Sequence, residues 1–230
     1  MCIRDRSSAP SGPAPAPSVV LIGVSTGGPA ALDELLPALP ATFPLPVLIV
    51  QHMPELFTAL LAERLNGRCP LRVCEARSGE PVRSGTIYIA RGDWHLTVAS
   101  PDRPAFPSGI SQAPLLIRLT QDSPENHCRP SVDVLFRTAV AAYGSRVLGV
   151  ILTGMGSDGL AGCRLIREHN GTVLAQDQQS SAVWGMPGAV THAGLAHRTL
   201  PLGAMAPEIL RLAGRGQREA SELRESAVSL

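Results

Sequence analysis

The sequence predicts an α/β domain: a doubly wound, mostly parallel sheet with helices on both faces and an antiparallel hairpin. Three observations carry this expectation. Short uninterrupted apolar runs, Val19-Val20-Leu21-Ile22, Pro46-Val47-Leu48-Ile49-Val50 and Val147-Leu148-Gly149-Val150-Ile151-Leu152, read as strands buried on both faces. Each is followed by residues at helical spacing, the alternation that builds parallel sheets. The 230 residues suffice for one large core.

In chain order, the first strand turns through Gly23-Val24-Ser25-Thr26-Gly27-Gly28, and Pro29 opens a helix over Ala30 to Leu36. The second strand ends in Gln51-His52-Met53-Pro54, and Glu55 to Leu65 repeats apolar residues at helical spacing. Leu71 to Glu75 reads as a short strand. Thr86 to Ala90 and His95 to Ala99 flank Arg91-Gly92-Asp93-Trp94, which predicts a hairpin between them. Pro101 to Pro114 is a Pro-rich loop, Leu115 to Thr120 a strand, Asp122 to Pro130 a loop, and Val132 to Tyr143 a helix. The third run enters Thr153-Gly154-Met155-Gly156-Ser157-Asp158-Gly159, then a helix over Leu160 to His169 stopped by Asn170-Gly171. Thr172 to Ala175 is a strand, Gln176 to Gly188 a polar loop, Ala189 to Ala193 helical, Leu195 to Leu200 a short return, and Met205 to Leu212 a last helix.

Composition narrows the function classes. A formal charge of +1 leaves no basic footprint for nucleic acid or an anionic membrane. No apolar run approaches the ~20 residues that span a bilayer. Five cysteines without a C-x-x-C argue against a disulfide framework or structural zinc and suit a reducing cytoplasm. Neither metal nor cofactor is indicated. Cys163 reads as core, and His127, His169, His192 and His197 lack metal-ligand spacing. Met1 to Arg6 has no apolar core of a leader and reads as an artefact. Ser7 to Pro17 reads as a disordered linker, residues 18–213 as the folded domain, and 214–230 as an exposed tail.

Gly23-Val24-Ser25-Thr26-Gly27 fits G-x-S-x-G, in which small residues let a strand bend sharply into a helix and expose the hydroxyl. Alone, such a serine reads more readily as an N-cap or an anion-binding turn than as a nucleophile. His52 alone reads as a turn residue and Asp158 as an N-cap. Together, however, the three lie at predicted carboxyl ends of strands, where open α/β sheets bind ligands. A serine needs a base beside it, and a carboxylate on the far imidazole nitrogen fixes the tautomer. Ser25, His52 and Asp158 are therefore assigned as nucleophile, base and orienting carboxylate. The glycine-rich turns at Thr26-Gly27-Gly28 and Gly154-Met155-Gly156 offer N–H donors for an oxyanion. The order Ser, His, Asp excludes the α/β-hydrolases, which run Ser, Asp, His.

These three motifs resemble the signatures of the CheB-type chemoreceptor methylesterase catalytic domain. So do Gly85-Thr86-Ile87-Tyr88-Ile89-Ala90 leading to His95, Arg129-Pro130-Ser131-Val132-Asp133, and Ala175-Gln176-Asp177 with Gly185-Met186-Pro187. The resemblance spans Val19 to Ala213. It implies hydrolysis of glutamate γ-methyl esters on the cytoplasmic helices of chemoreceptors, with release of methanol, and deamidation of receptor glutamines. It carries the triad onto Ser25, His52 and Asp158, and substrate-site helpers onto Thr26, His95 and Met155, the last as a main-chain oxyanion donor. It also implies an upstream receiver domain, which this sequence does not supply. The family commonly has Pro-Gly before its second histidine, where this chain reads Gly92-Asp93-Trp94-His95. Rival readings from the residues are a non-catalytic anion-binding module and a small-molecule esterase.

Overall fold

Seven strands, all parallel, form the central sheet of the computed structural model, which describes residues 15–100 and 114–214. The strands are β1 (Val19–Val24), β2 (Val47–Gln51), β3 (Arg72–Glu75), β4 (Thr86–Ile89), β7 (Val147–Ile151), β8 (Thr172–Gln176) and β9 (Arg198–Leu200), in the order β3-β4-β2-β1-β7-β8-β9. The antiparallel pair is β5 (His95–Ala99) with β6 (Leu116–Thr120). The loop expected at Pro101 to Pro114 falls almost wholly outside the described residues, as do the artefact at Met1 to Arg6, most of the linker before Pro17 and the tail after 214. Ala16, from that linker stretch, is buried.

The strands have apolar residues on both faces because both faces are covered. Val20, Ile22 and Val24 pack with α1 (Gly28–Leu35), α2 (Glu55–Asn66) and the final helix, described from 202 to 214. Val19 and Leu21, pointing the other way, pack with α3 (Val132–Tyr143), α4 (Leu160–Glu168), α5 (Gly185–His192) and the β5–β6 pair. The alternation of one strand's residues between two cores is the period-2 geometry of an extended chain.

Three local expectations are corrected. The predicted hairpin partners separate: β4 lies between β3 and β2, while β5 leaves the sheet and pairs His95 with Thr120 through Ala99 with Leu116. All four residues of β4 are buried, so it needs cover on both faces, whereas in β5 burial alternates from Leu96 to Ala99 and Thr97 and Ala99 are only half-buried. Gly23 continues β1 instead of starting the turn, and it stands where the start of α3 presses on the sheet. A Cβ there would meet Val132 Cγ1 at 2.5 Å. The helix expected at Ala189 begins at Gly185 instead, with Pro187 in its first turn, where a missing N–H costs nothing.

The link between β4 and β5 is pinned to the start of α2. Arg91 pairs with Glu55 and lies over the Trp94 ring, 5.5 Å from its centroid. A Cβ on Gly92 would lie 2.3 Å from Glu55 N and 2.6 Å from Pro54 C, backbone atoms that cannot rotate away. Gly92→Ala is accordingly expected to destabilise the fold by ~1–3 kcal/mol, read as a lower unfolding midpoint. An unchanged midpoint would mean that this backbone can shift freely.

Candidate active site

Strand order explains why three sequence-distant motifs meet. From β1 the chain winds toward β2 on one side, and it returns through β7 on the other, so the order reverses at the β1–β7 border. Ligands of such sheets bind outside the carboxyl ends at that border. The registers Val24 with Gln51 and Gly23 with Ile151 bring the three strand ends level.

Backbone bonds then fix the turns. Ser25 N donates to Thr153 O at 3.0 Å, and His52 N donates to Val24 O at 3.1 Å. The buried Gln51 amide donates to both Ser25 O and His52 O at 3.0 Å, so the two strand ends share one clamp. Gln176 makes a second clamp: Oε1 accepts from Thr153 N at 2.8 Å and Nε2 donates to Ser180 O at 2.8 Å. Gly27 sits at φ 82 as the N-cap of α1, a left-handed conformation in which glycine bears no Cβ penalty.

Asp158 is the most heavily bonded side chain of the site. Oδ2 accepts from His52 Nε2 at 2.8 Å and Val132 N at 2.7 Å. Oδ1 accepts from Ser131 Oγ at 2.8 Å, Asn126 Nδ2 at 2.9 Å and Asp133 N at 3.1 Å. Two of these donors are first-turn amides of α3, whose helix dipole favours a negative charge there. Burial alone would push the Asp158 carboxyl up, but the bonds from His52, Val132, Asn126 and Ser131 outweigh it and hold the group below its ordinary value.

The neighbouring Asp133, also buried, behaves oppositely. Burial pushes its carboxyl up, the bond from Gly162 N opposes this, and the charge of Asp158 adds to the rise. Asp133 Oδ1 accepts from Gly162 N at 2.6 Å, so it caps the first turn of α4 from across the helix pair. Asn126 Nδ2 donates to both carboxylates, at 2.8 Å to Asp133 and 2.9 Å to Asp158. Asn126→Ala should thus lower stability by ~1–3 kcal/mol and lower kcat with little change in KM. Unaltered values of all three would remove Asn126 from the support of Asp158.

His52 and Asp158 are in direct contact, and Ser25 lies at the adjoining strand end. Ser25 Oγ makes no hydrogen bond among the described residues, an arrangement common before substrate binds. Thr26 is exposed, and Met155 carries a side chain 71 % exposed at the rim. Among the described residues the N–H groups of Thr26, Gly27 and Met155 have no acceptor, whereas Gly28 N is committed to Ser25 O at 2.8 Å. His95 is 1 % exposed and faces away from solvent. Its Nδ1 accepts from Ser131 N at 3.2 Å and its Nε2 faces Ser123 O at 3.2 Å, so it supports the segment that holds Asp158.

Sequence reasoning missed Asn126 and Cys128, in what read as a featureless loop, and the bond of Ser131 to Asp158. Asn126 at φ 54 turns the chain so that Glu125 and Cys128 bond to each other and Cys128 Sγ comes within 3.8 Å of His52 Nδ1. Burial, then the charge of Asp158, pushes the Cys128 thiol up. Cys163 is fully buried in the core.

Comparison with known proteins now decides the family. The family model described as CheB methylesterase matches residues 20–209. The chain belongs to the CheB methylesterase family. A relative from Nocardioides, named protein-glutamate methylesterase/protein-glutamine glutaminase, is 56% identical over 193 residues, covering 84% of this chain and 50% of the relative. One from Trichodesmium erythraeum with the same name is 50% identical, covering 85% of this chain and 53% of its own length. The chain thus spans about half the length of these curated relatives. The CheB methylesterase catalytic domain of Thermotoga maritima superposes with a TM-score of 0.79 at 38% identity, covering 86% of this chain and 99% of that domain. The parallel sheet with its small antiparallel pair is therefore the CheB catalytic fold. Among the described residues no helix is long and apolar enough to cross a membrane.

Proposed function

We propose that the chain is a protein-glutamate methylesterase that hydrolyses glutamate γ-methyl esters on chemoreceptor helices, and that the same site deamidates receptor glutamines. The observation that carries this reading is the His52–Asp158 bond beside Ser25 at the reversal of strand order. Asp158 accepts the Nε2 proton of His52, which leaves the Nδ1 lone pair as the base. Ser25 Oγ loses its proton to Nδ1 and attacks the ester carbonyl. The oxyanion is met by main-chain N–H groups of Met155 and of Thr26 or Gly27. His52 returns the proton to the departing methoxide, methanol leaves, and a water activated by His52 cleaves the acyl-serine. With glutamine the leaving group is ammonia and the acyl-serine is the same.

Ser131 and His95 act here as positioning residues, since they hold the carboxylate and the segment behind it. Leu56, Phe57 and Leu60, exposed on α2 just after His52, supply an apolar border suited to a helical protein substrate. The reading includes a cytoplasmic setting and regulation by a receiver domain.

The test is methanol release from a methylated receptor fragment, together with labelling by a sulfonyl fluoride. An esterase releases methanol and is labelled at Ser25, and protein unfolded before the reagent is added should not be labelled. A folded protein that binds the receptor, releases no methanol and resists labelling would instead be a binding module.

A further inference from the structure

Cys128 has no part in the chemistry proposed above, yet its thiol faces the working nitrogen of the base. We propose that His52 Nδ1 and Cys128 Sγ form a site for a thiophilic divalent cation such as Zn²⁺, and that occupancy switches off the esterase. Loss of activity rests on the Ser25–His52 reading; the cation site does not.

The geometry is that of two ligands of one ion. Nδ1 and Sγ are 3.8 Å apart. Atoms bound to a tetrahedral zinc at ~2.0–2.1 Å for nitrogen and ~2.3 Å for sulfur lie about 3.6 Å from each other. A shift of a few tenths of an ångström therefore seats the ion. The other side of the imidazole is also prepared. Asp158 Oδ2 accepts the Nε2 proton at 2.8 Å, so the Nδ1 lone pair is free to coordinate and the ring is held in orientation. A carboxylate behind a metal-binding histidine in this way raises its basicity as a ligand. The candidate ligand atoms of His52, Cys128 and Asp158 all lie within 4.8 Å of one another.

Access is provided by a cavity of ≈ 480 Å³ lined by His52, Met53, Asp93, His127, Cys128 and Arg129. It leaves the remaining coordination positions to water. Binding forms a sulfur–metal and a nitrogen–metal bond, releases the thiol proton to solvent and involves no redox change. Thiolate with imidazole selects zinc-like ions over magnesium or calcium, which take oxygen ligands. The consequence for catalysis is direct, because the lone pair that would take the Ser25 proton is then bound to the ion.

Cobalt(II) reads out the site without any assay of activity. Adding Co²⁺ to the whole chain should produce a thiolate-to-cobalt charge-transfer band that Cys128→Ala and the near-isosteric Cys128→Ser both lose. In the methanol-release assay, free Zn²⁺ should inhibit the unsubstituted protein at a concentration at least tenfold below that needed for Cys128→Ala, and a chelator should restore the rate. No cobalt band, a band of equal strength without Cys128, or equal zinc sensitivity of the two proteins would overturn the proposal. A protein with the cobalt band and no esterase activity would retain the cation site and sink only the functional reading.

Discussion

Ser25→Ala is expected to cut kcat for methanol release by on the order of 10³ or more while leaving the fold intact. The two halves of this expectation have separate grounds. Loss of the hydroxyl removes the acyl-enzyme route altogether, so that only transition-state contacts from N–H donors and substrate binding remain. Stability should be nearly untouched, within about 0.5 kcal/mol, because Ser25 contributes backbone groups to its neighbours and its hydroxyl bonds to none of the described residues. Adding His52→Ala to Ser25→Ala should cost little more than either change alone, since groups acting as one unit are strongly non-additive. A folded Ser25→Ala protein at full rate would refute the nucleophile assignment. An additive double variant would instead show that His52 and Ser25 work independently.

The site was legible in the sequence to the extent that it is made of strand ends. Val19 to Val24, Val47 to Gln51 and Val147 to Ile151 announce themselves as apolar runs, and the glycines after β1 and β7 mark the turns that deliver Ser25 and Asp158. Those signals are local, and local periodicity is what a sequence displays. Pairing is not local, which is why Thr86 to Ala90 was matched with the following strand. Thr86 and Tyr88 alternate with Ile87 and Ile89, a period-2 pattern that reads as one-sided, yet all four residues are buried inside the parallel sheet. The support of Asp158 was hidden for the same reason. Asn126, Cys128 and Ser131 belong to a loop without a period, and their roles exist only once that loop lies over the carboxylate. Gly185 to Gly188 read as the end of a polar loop because their place in a first helical turn depends on Gly154, whose carbonyl accepts from Met186 N at 2.8 Å.

Asp158→Asn is expected to damage both rate and stability, and the two losses should part company in acid. For the rate, an amide in place of the carboxylate no longer fixes the imidazole tautomer, and kcat should fall on the order of 10³ to 10⁴. For stability, the five donors that surround the carboxylate would meet an NH₂ group on one side, leaving buried donors without acceptors. That costs several kcal/mol, about 3–5 by analogy with breaking a buried charged pair. The sign of the pH dependence follows from the depressed carboxyl. Its contribution to stability is fully present above the ordinary value of 3.8 and is lost as pH falls below that toward the lower folded value. The stability gap between the parent and Asp158→Asn should accordingly be constant near neutrality and close below about pH 4, measured as urea midpoints across acidic pH. A gap that stays constant into acid would show that Asp158 does not draw its stabilising role from its charge.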